Sequence, residues 1–88
     1  MTILRLNDDA VAWRDTGDEV LALDLNSSTY ISANSSAVLL WKMLAVGTSR
    51  DALVTRLMDE FGIDVDRAGA DVDAFVADLD ARGLLQRT

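Results

Sequence analysis

The sequence predicts an α+β domain in which a three-stranded antiparallel sheet is followed by three helices. Three observations predict it. Apolar residues recur with a period of two through residues 10 to 33, and with a period near 3.6 from residue 34 onward. Two turn sequences, Thr16-Gly17-Asp18 and Asn26-Ser27-Ser28, divide the first part into three short runs. The length, 88 residues, suits one domain spanning residues 1–88 with a single core.

The strands come first. Ala10 to Asp15 puts Val11 and Trp13 on one face. Glu19 to Leu25 puts Leu21, Leu23 and Leu25 on one face and Val20, Ala22 and Asp24 on the other, the alternation of a half-buried strand. Thr29 to Ala33 is a third strand, with Tyr30 and Ser32 facing opposite to Ile31 and Ala33. Tight turns between the three give an antiparallel meander. Residues 3 to 6 are a candidate for a short extra strand.

The first helix is expected from a cap at Asn34 or Ser35 to about Ala45, stopping near Gly47. Its main stripe is Ala37, Leu40, Trp41 and Leu44. Leu39 and Met43 lie off that stripe, so the helix is either central or partly an interface. Trp13 and Trp41 are expected as core anchors. Thr48 or Ser49 caps the second helix, Asp51 suits its positive end, and Gly62 ends it. Leu53, Leu57 and Phe61 share one face there. The third helix is expected to be capped by Asp66 and to run to about Arg82, before Gly83.

At ~100° per residue, the third helix gathers Ala68, Val72, Phe75, Val76 and Leu79 in a core stripe. Ala70, Ala74, Ala77 and Ala81 lie opposite. Asp71 and Asp78 occupy one flank, Asp73 and Asp80 the other. Each pair is two turns apart, ~10 Å. These aspartates are either a solvated face or the border of a groove that meets basic residues of a bound peptide.

Composition narrows the chemistry. The chain has no histidine and no cysteine, which removes the commonest general base, the commonest transition-metal ligand and every thiolate site. No catalytic residue, metal site or cofactor is expected. Fifteen acidic residues against eight basic ones give a net charge of −7, and the basic residues do not cluster. A nucleic acid would be repelled; a neutral or basic peptide fits. No signal pattern stands at the N-terminus and no apolar run approaches the ~20 residues of a membrane helix. A cytoplasmic location without a membrane partner is the expectation.

The run Tyr30-Ile31-Ser32-Ala33-Asn34 into Ser35-Ser36-Ala37-Val38-Leu39-Leu40-Trp41 resembles the strand-to-helix junction of PqqD-like proteins. Gly47-Thr48, Leu53, Leu57 and Phe61 resemble that family's second helix. Asp71-Val72, Phe75-Val76, Leu79 and Gly83-Leu84-Leu85 resemble its third. The resemblance covers roughly residues 20 to 85. Ala33 stands where a leucine is usual, Ser36 where a glycine is frequent, and Lys42 where an acid often follows the tryptophan. These departures weaken assignment to the cofactor-biosynthesis branch; the Leu-Asn-Ser-Ser-Thr-Tyr turn and the free-standing size look closer to the leader-binding proteins of lasso-peptide clusters.

The resemblance implies a winged helix-turn-helix-like, non-catalytic domain that recognises the leader of a ribosomally made precursor peptide. It implies that the leader adds as a strand to the third strand's edge, at Thr29, Tyr30, Ile31, Ser32 and Ala33. It further implies a cleft along the third helix, for which Asp71, Val72, Phe75, Val76, Asp78 and Leu79 are the candidates. Partners would be the precursor, with basic residues, and a leader peptidase and cyclase. The alternative is delivery of a precursor to a radical enzyme in cofactor biosynthesis. The residues agree with strand addition, because the third strand carries no lysine or proline to block edge pairing. A DNA-binding winged helix fails on charge: the third helix holds five aspartates and two arginines. A structural or dimerisation module is the remaining reading.

Overall fold

Three antiparallel strands lie in sequential order on one side of the molecule. They are β2 (Val11–Asp15), β3 (Glu19–Asp24) and β4 (Thr29–Asn34). A computed structural model describes residues 2–17, 19–34 and 36–88, and the side chains of Ala33 and Asn34 lie outside that description, as do Asp18 of the first turn and the candidate cap Ser35. The helices follow as α1 (Ser36–Val46), α2 (Arg50–Phe61) and α3 (Val65–Ala81). The predicted α+β order is the observed one.

The buried face of the sheet is the one with the smaller side chains. Val20, Ala22 and Asp24 are buried, whereas Leu21 and Leu25 are 43% and 48% exposed. The register explains this. Trp13 stands opposite Ala22, which stands opposite Ile31. A small residue between two large ones leaves room for the Trp13 ring, which meets Trp41 edge-on at 6.1 Å between centroids. Trp41 is wholly buried and Trp13 partly so. Asp24 tolerates burial because its Oδ1 accepts the amides of Asn26 at 3.0 Å and Ser27 at 3.4 Å. The carboxylate thereby shapes the turn into β4, in which Ser28 takes a left-handed φ of 57°.

The candidate strand at residues 3 to 6 exists as β1 (Leu4–Leu6), but it does not join the meander. It pairs with β5 (Leu85–Arg87), a strand absent from the sequence reading, which ended at the third helix. Three residues are too few to show a period. On its other side Leu4 exchanges backbone hydrogen bonds with Thr48, at 2.6 and 2.9 Å. Leu4, Leu6 and Leu84 bury completely or nearly so there.

Helix ends follow local chemistry. Ser49, one of the two expected caps, accepts the Ala52 amide at 3.2 Å, and Gly62 closes α2 with φ 64°. The cap of α3 is Asp64 rather than Asp66. Its Oδ1 accepts the Arg67 amide at 2.8 Å, and Asp66 sits in the first turn. Both aspartates suit a helix start, and only the backbone geometry decides between them. Of the predicted stripe of α3, Ala68, Val72 and Leu79 are buried, and Phe75 and Val76 pack against the core. The four alanines opposite are exposed. Phe61 shares its face with Leu53 and Leu57 but stays 45% exposed at the end of α2.

Candidate functional site

Among the described residues strand β4 pairs only with β3, which leaves one of its edges unpaired. Its residues alternate across the sheet. Ile31 lies on the inner face and packs against the core. Tyr30 and Ser32 lie on the outer face, with Tyr30 79% exposed. Thr29 is exposed at the strand's start. Tyr30 rims a shallow outer hollow of about 410 Å³ that also holds Leu21, Leu23 and Arg14.

The chain leaves β4 at Asn34 and enters α1 at Ser36, beside a cleft between α1 and α3. The cleft consists of two adjoining hollows, about 420 and 370 Å³, which share Ser36 and Asp71. Ala37 and Leu40 of α1 face Asp71, Ala74, Phe75 and Asp78 of α3 in the first. Leu57, Phe61, Ile63 and Arg67 line the second. Among the described side chains none from β4 lines the cleft. The chain reaches it at Ser36, just past β4, and α1 forms one wall.

The candidates on α3 therefore separate. Asp71, Phe75 and Asp78 line the cleft. Val72 and Leu79 are buried in the core beneath it. Val76 faces a different hollow, with Leu4, Arg50, Asp73 and Arg87. Ser36, Ala37, Leu40 and Ala74 belong to the cleft and were not among the sequence candidates. The small side chains at Ala37 and Ala74, on helices that face each other, were the available signal.

The two aspartate flanks differ in what holds them. Arg50 grips Asp73 through both oxygens, at 2.7 and 3.0 Å, and Arg87 reaches Asp80 at 2.8 Å. Both arginines come from outside α3, so these carboxylates tie the helix to α2 and β5. The hydrogen bonds from Arg50, and then its charge, hold the Asp73 carboxyl below the usual carboxylate range. Asp71 and Asp78 instead meet Arg67 at 3.6 Å and Arg82 at 3.3 Å, their own neighbours one turn away. Such exposed pairs along one helix are weak and exchange readily. The cleft-facing carboxylates are thus the ones free to change partner. Among the described residues no cluster of three acidic side chains is arranged to hold a metal ion.

A meander with one edge unpaired among the described residues, followed by a cleft walled by two helices, makes up the candidate site. The sequence specifies the family: residues 19–85 match coenzyme PQQ synthesis protein D (PqqD), and the chain belongs to that family. Two solved structures share its fold over nearly their full length. TbiB1 in complex with the TbiA(beta) leader peptide superposes with a TM-score of 0.84 at 26% identity, over 93% of this chain and 94% of that one. A lasso peptide synthetase B1 complexed with the leader peptide gives 0.80 at 25%, over 94% and 96%. No curated protein sequence matches significantly.

Proposed function

We propose that this domain binds the leader segment of a ribosomally made precursor peptide and presents it to a leader peptidase, with a cyclase, in lasso-peptide maturation. The observation that carries the reading is that β4, unpaired on one edge among the described residues, leads through Asn34 to Ser36, which lines the α1–α3 cleft. Both similar structures are, by their descriptions, complexes with leader peptides. An extended peptide paired with Thr29, Tyr30, Ile31, Ser32 and Ala33 would satisfy the open backbone groups with little demand on sequence. Its side chains would alternate. One set would lie beside Tyr30 and Ser32 on the outer face. The other would point toward Ile31 and the cleft, where Phe75 offers an apolar contact and Asp71 and Asp78 offer charge for a lysine or arginine. Val72 and Leu79 would support Phe75 from below rather than touch the peptide.

The domain would supply no chemistry of its own. Its contribution would be local concentration of the precursor at a partner enzyme. Cytoplasmic peptide synthesis fits this role, and among the described residues no helix is long and apolar enough to cross a membrane. The family's description, coenzyme PQQ synthesis, favours a second reading in cofactor biosynthesis, for which the partner would be a radical enzyme; the solved relative described as a lasso peptide synthetase B1 favours the lasso pathway.

Amide hydrogen exchange tests the site. On addition of a saturating precursor peptide, exchange at residues 29–33 should slow by about tenfold or more, as edge amides become paired. Unchanged exchange there, with tight binding established by calorimetry, would move the site elsewhere.

A further inference from the structure

Helix α1 has a second open side. At ~100° per residue, Leu39, Lys42, Met43 and Val46 centre roughly 140° around the helix from the cleft-lining Ala37 and Leu40. They line a groove of about 420 Å³ together with Gly47, Thr48 and Arg56. Leu39 and Met43 are partly buried and Val46 is 77% exposed, so the floor is apolar and reachable. The sequence had set Leu39 and Met43 apart as apolar residues off the core stripe.

The lining of this groove departs from the acidic balance of the molecule. Acidic residues outnumber basic ones by fifteen to eight in the chain. None lines the groove, whereas two cations, Lys42 and Arg56, do. A third, Arg5, donates to the Val46 carbonyl at 3.1 Å and covers the negative end of α1. Lys42 pairs with Asp15 at 2.8 Å and Arg56 with Glu60 at 3.8 Å, but all four side chains are about half exposed. The Arg56–Glu60 pair, one turn apart on a helix, contributes little, so a bound carboxylate can replace Glu60 at small cost. Lys42 keeps Asp15, whose carboxyl it holds below the usual range, and offers its remaining N–H donors.

We infer that this groove docks an acidic, apolar-bearing segment of a partner protein, and that it does so independently of the peptide cleft on the other side of the helix. Leucine- or phenylalanine-type side chains of the segment enter between Leu39, Met43 and Val46, while its carboxylates meet Lys42 and Arg56. Only the identity of the partner as a modifying enzyme rests on the function proposed above; the docking chemistry is a property of the domain alone.

The test therefore uses the domain without precursor or enzyme. Two synthetic amphipathic helical peptides serve as probes, identical in their leucines, one with glutamates on its polar face and the other with lysines. Methyl NMR of Leu39, Met43 and Val46 should show saturable shifts with the glutamate peptide and much smaller ones with the lysine peptide. The variant Lys42→Gln/Arg56→Gln alters only half-exposed side chains and should weaken the glutamate peptide by about tenfold while the rest of the spectrum is kept. Equal binding of both peptides would reduce the groove to a merely sticky surface. Shifts confined to the α1–α3 cleft, absence of saturable binding, or concentration-dependent shifts without peptide that mark a second copy of the chain would each overturn the inference.

Discussion

Asp71 and Asp78 differ from Asp73 and Asp80 in what each carboxylate already holds. Asp73 and Asp80 are engaged by arginines from other elements, while Asp71 and Asp78 face the cleft on loose i,i+4 pairs with Arg67 and with Arg82 just past the end of α3. Replacing Asp71 and Asp78 by Asn should weaken a lysine-containing precursor by about three- to tenfold, the range of two exposed ion pairs. Replacing Asp73 and Asp80 should leave peptide affinity nearly unchanged and lower thermal stability instead. Isothermal titration and thermal melts of the two double variants separate the effects. Equal silence of both in titration would return all four to a solvated face. In the sequence these aspartates are two symmetrical pairs, because periodicity reports spacing along one helix and not what the neighbouring elements bring to it. Arg50 and Arg87, the residues that break the symmetry, lie 23 and 7 positions from their partners.

At the scale of elements, the Arg50–Asp73 fork joins α2 to α3. Asp73 titrates below its ordinary value because Arg50 hydrogen bonds favour the charged form. A carboxylate depressed in the folded state stabilises the fold above its unfolded pKa, ~3.9. That contribution is lost as pH falls through the lower folded value. The stability gap between wild type and Asp73→Asn should therefore be constant near neutrality and close below about pH 4. Urea midpoints at a series of pH values read it directly, and a gap that persists at pH 2 would mean that packing, not charge, is what the substitution removes. The elements themselves were legible where apolar periodicity ran for five residues or more: the meander, the three helices and the core stripe of α3. Two things were not. β5 is three residues long and recognisable only by its partner β1. The inward face of β3 was hidden because three leucines lie on the open side while Val20, Ala22 and Asp24 go in, a choice made by the volumes of Trp13 and Ile31 on the strands beside it. For the candidate site, the family resemblance pointed to the third strand and the third helix, while the residues alone left the two aspartate flanks equivalent. The α1 wall was not legible, since Ala37 and Leu40 read as ordinary core.

For the molecule as a whole, a presenting role makes a kinetic prediction. A domain that raises local precursor concentration speeds leader removal most when the precursor is dilute, and little at saturation. Titrating the domain against a fixed peptidase at low and high precursor should show that contrast. Tyr30→Asp, at an exposed edge-strand position, should lose peptide binding and stimulation together with its circular dichroism unchanged. Stimulation that outlives binding would point to direct activation of the enzyme. The β1–β5 pair bears on how such a domain can be attached to one. Ile3 and Thr88 exchange backbone hydrogen bonds at 3.2 and 3.1 Å, so the chain enters and leaves the fold side by side. Cargo hung from either end swings from a single anchor point. A linker of a few residues could join the two ends, and new ends opened in a surface loop would leave the architecture intact. In polymer terms the domain is a nearly closed loop, as easily threaded into a longer chain as appended to one.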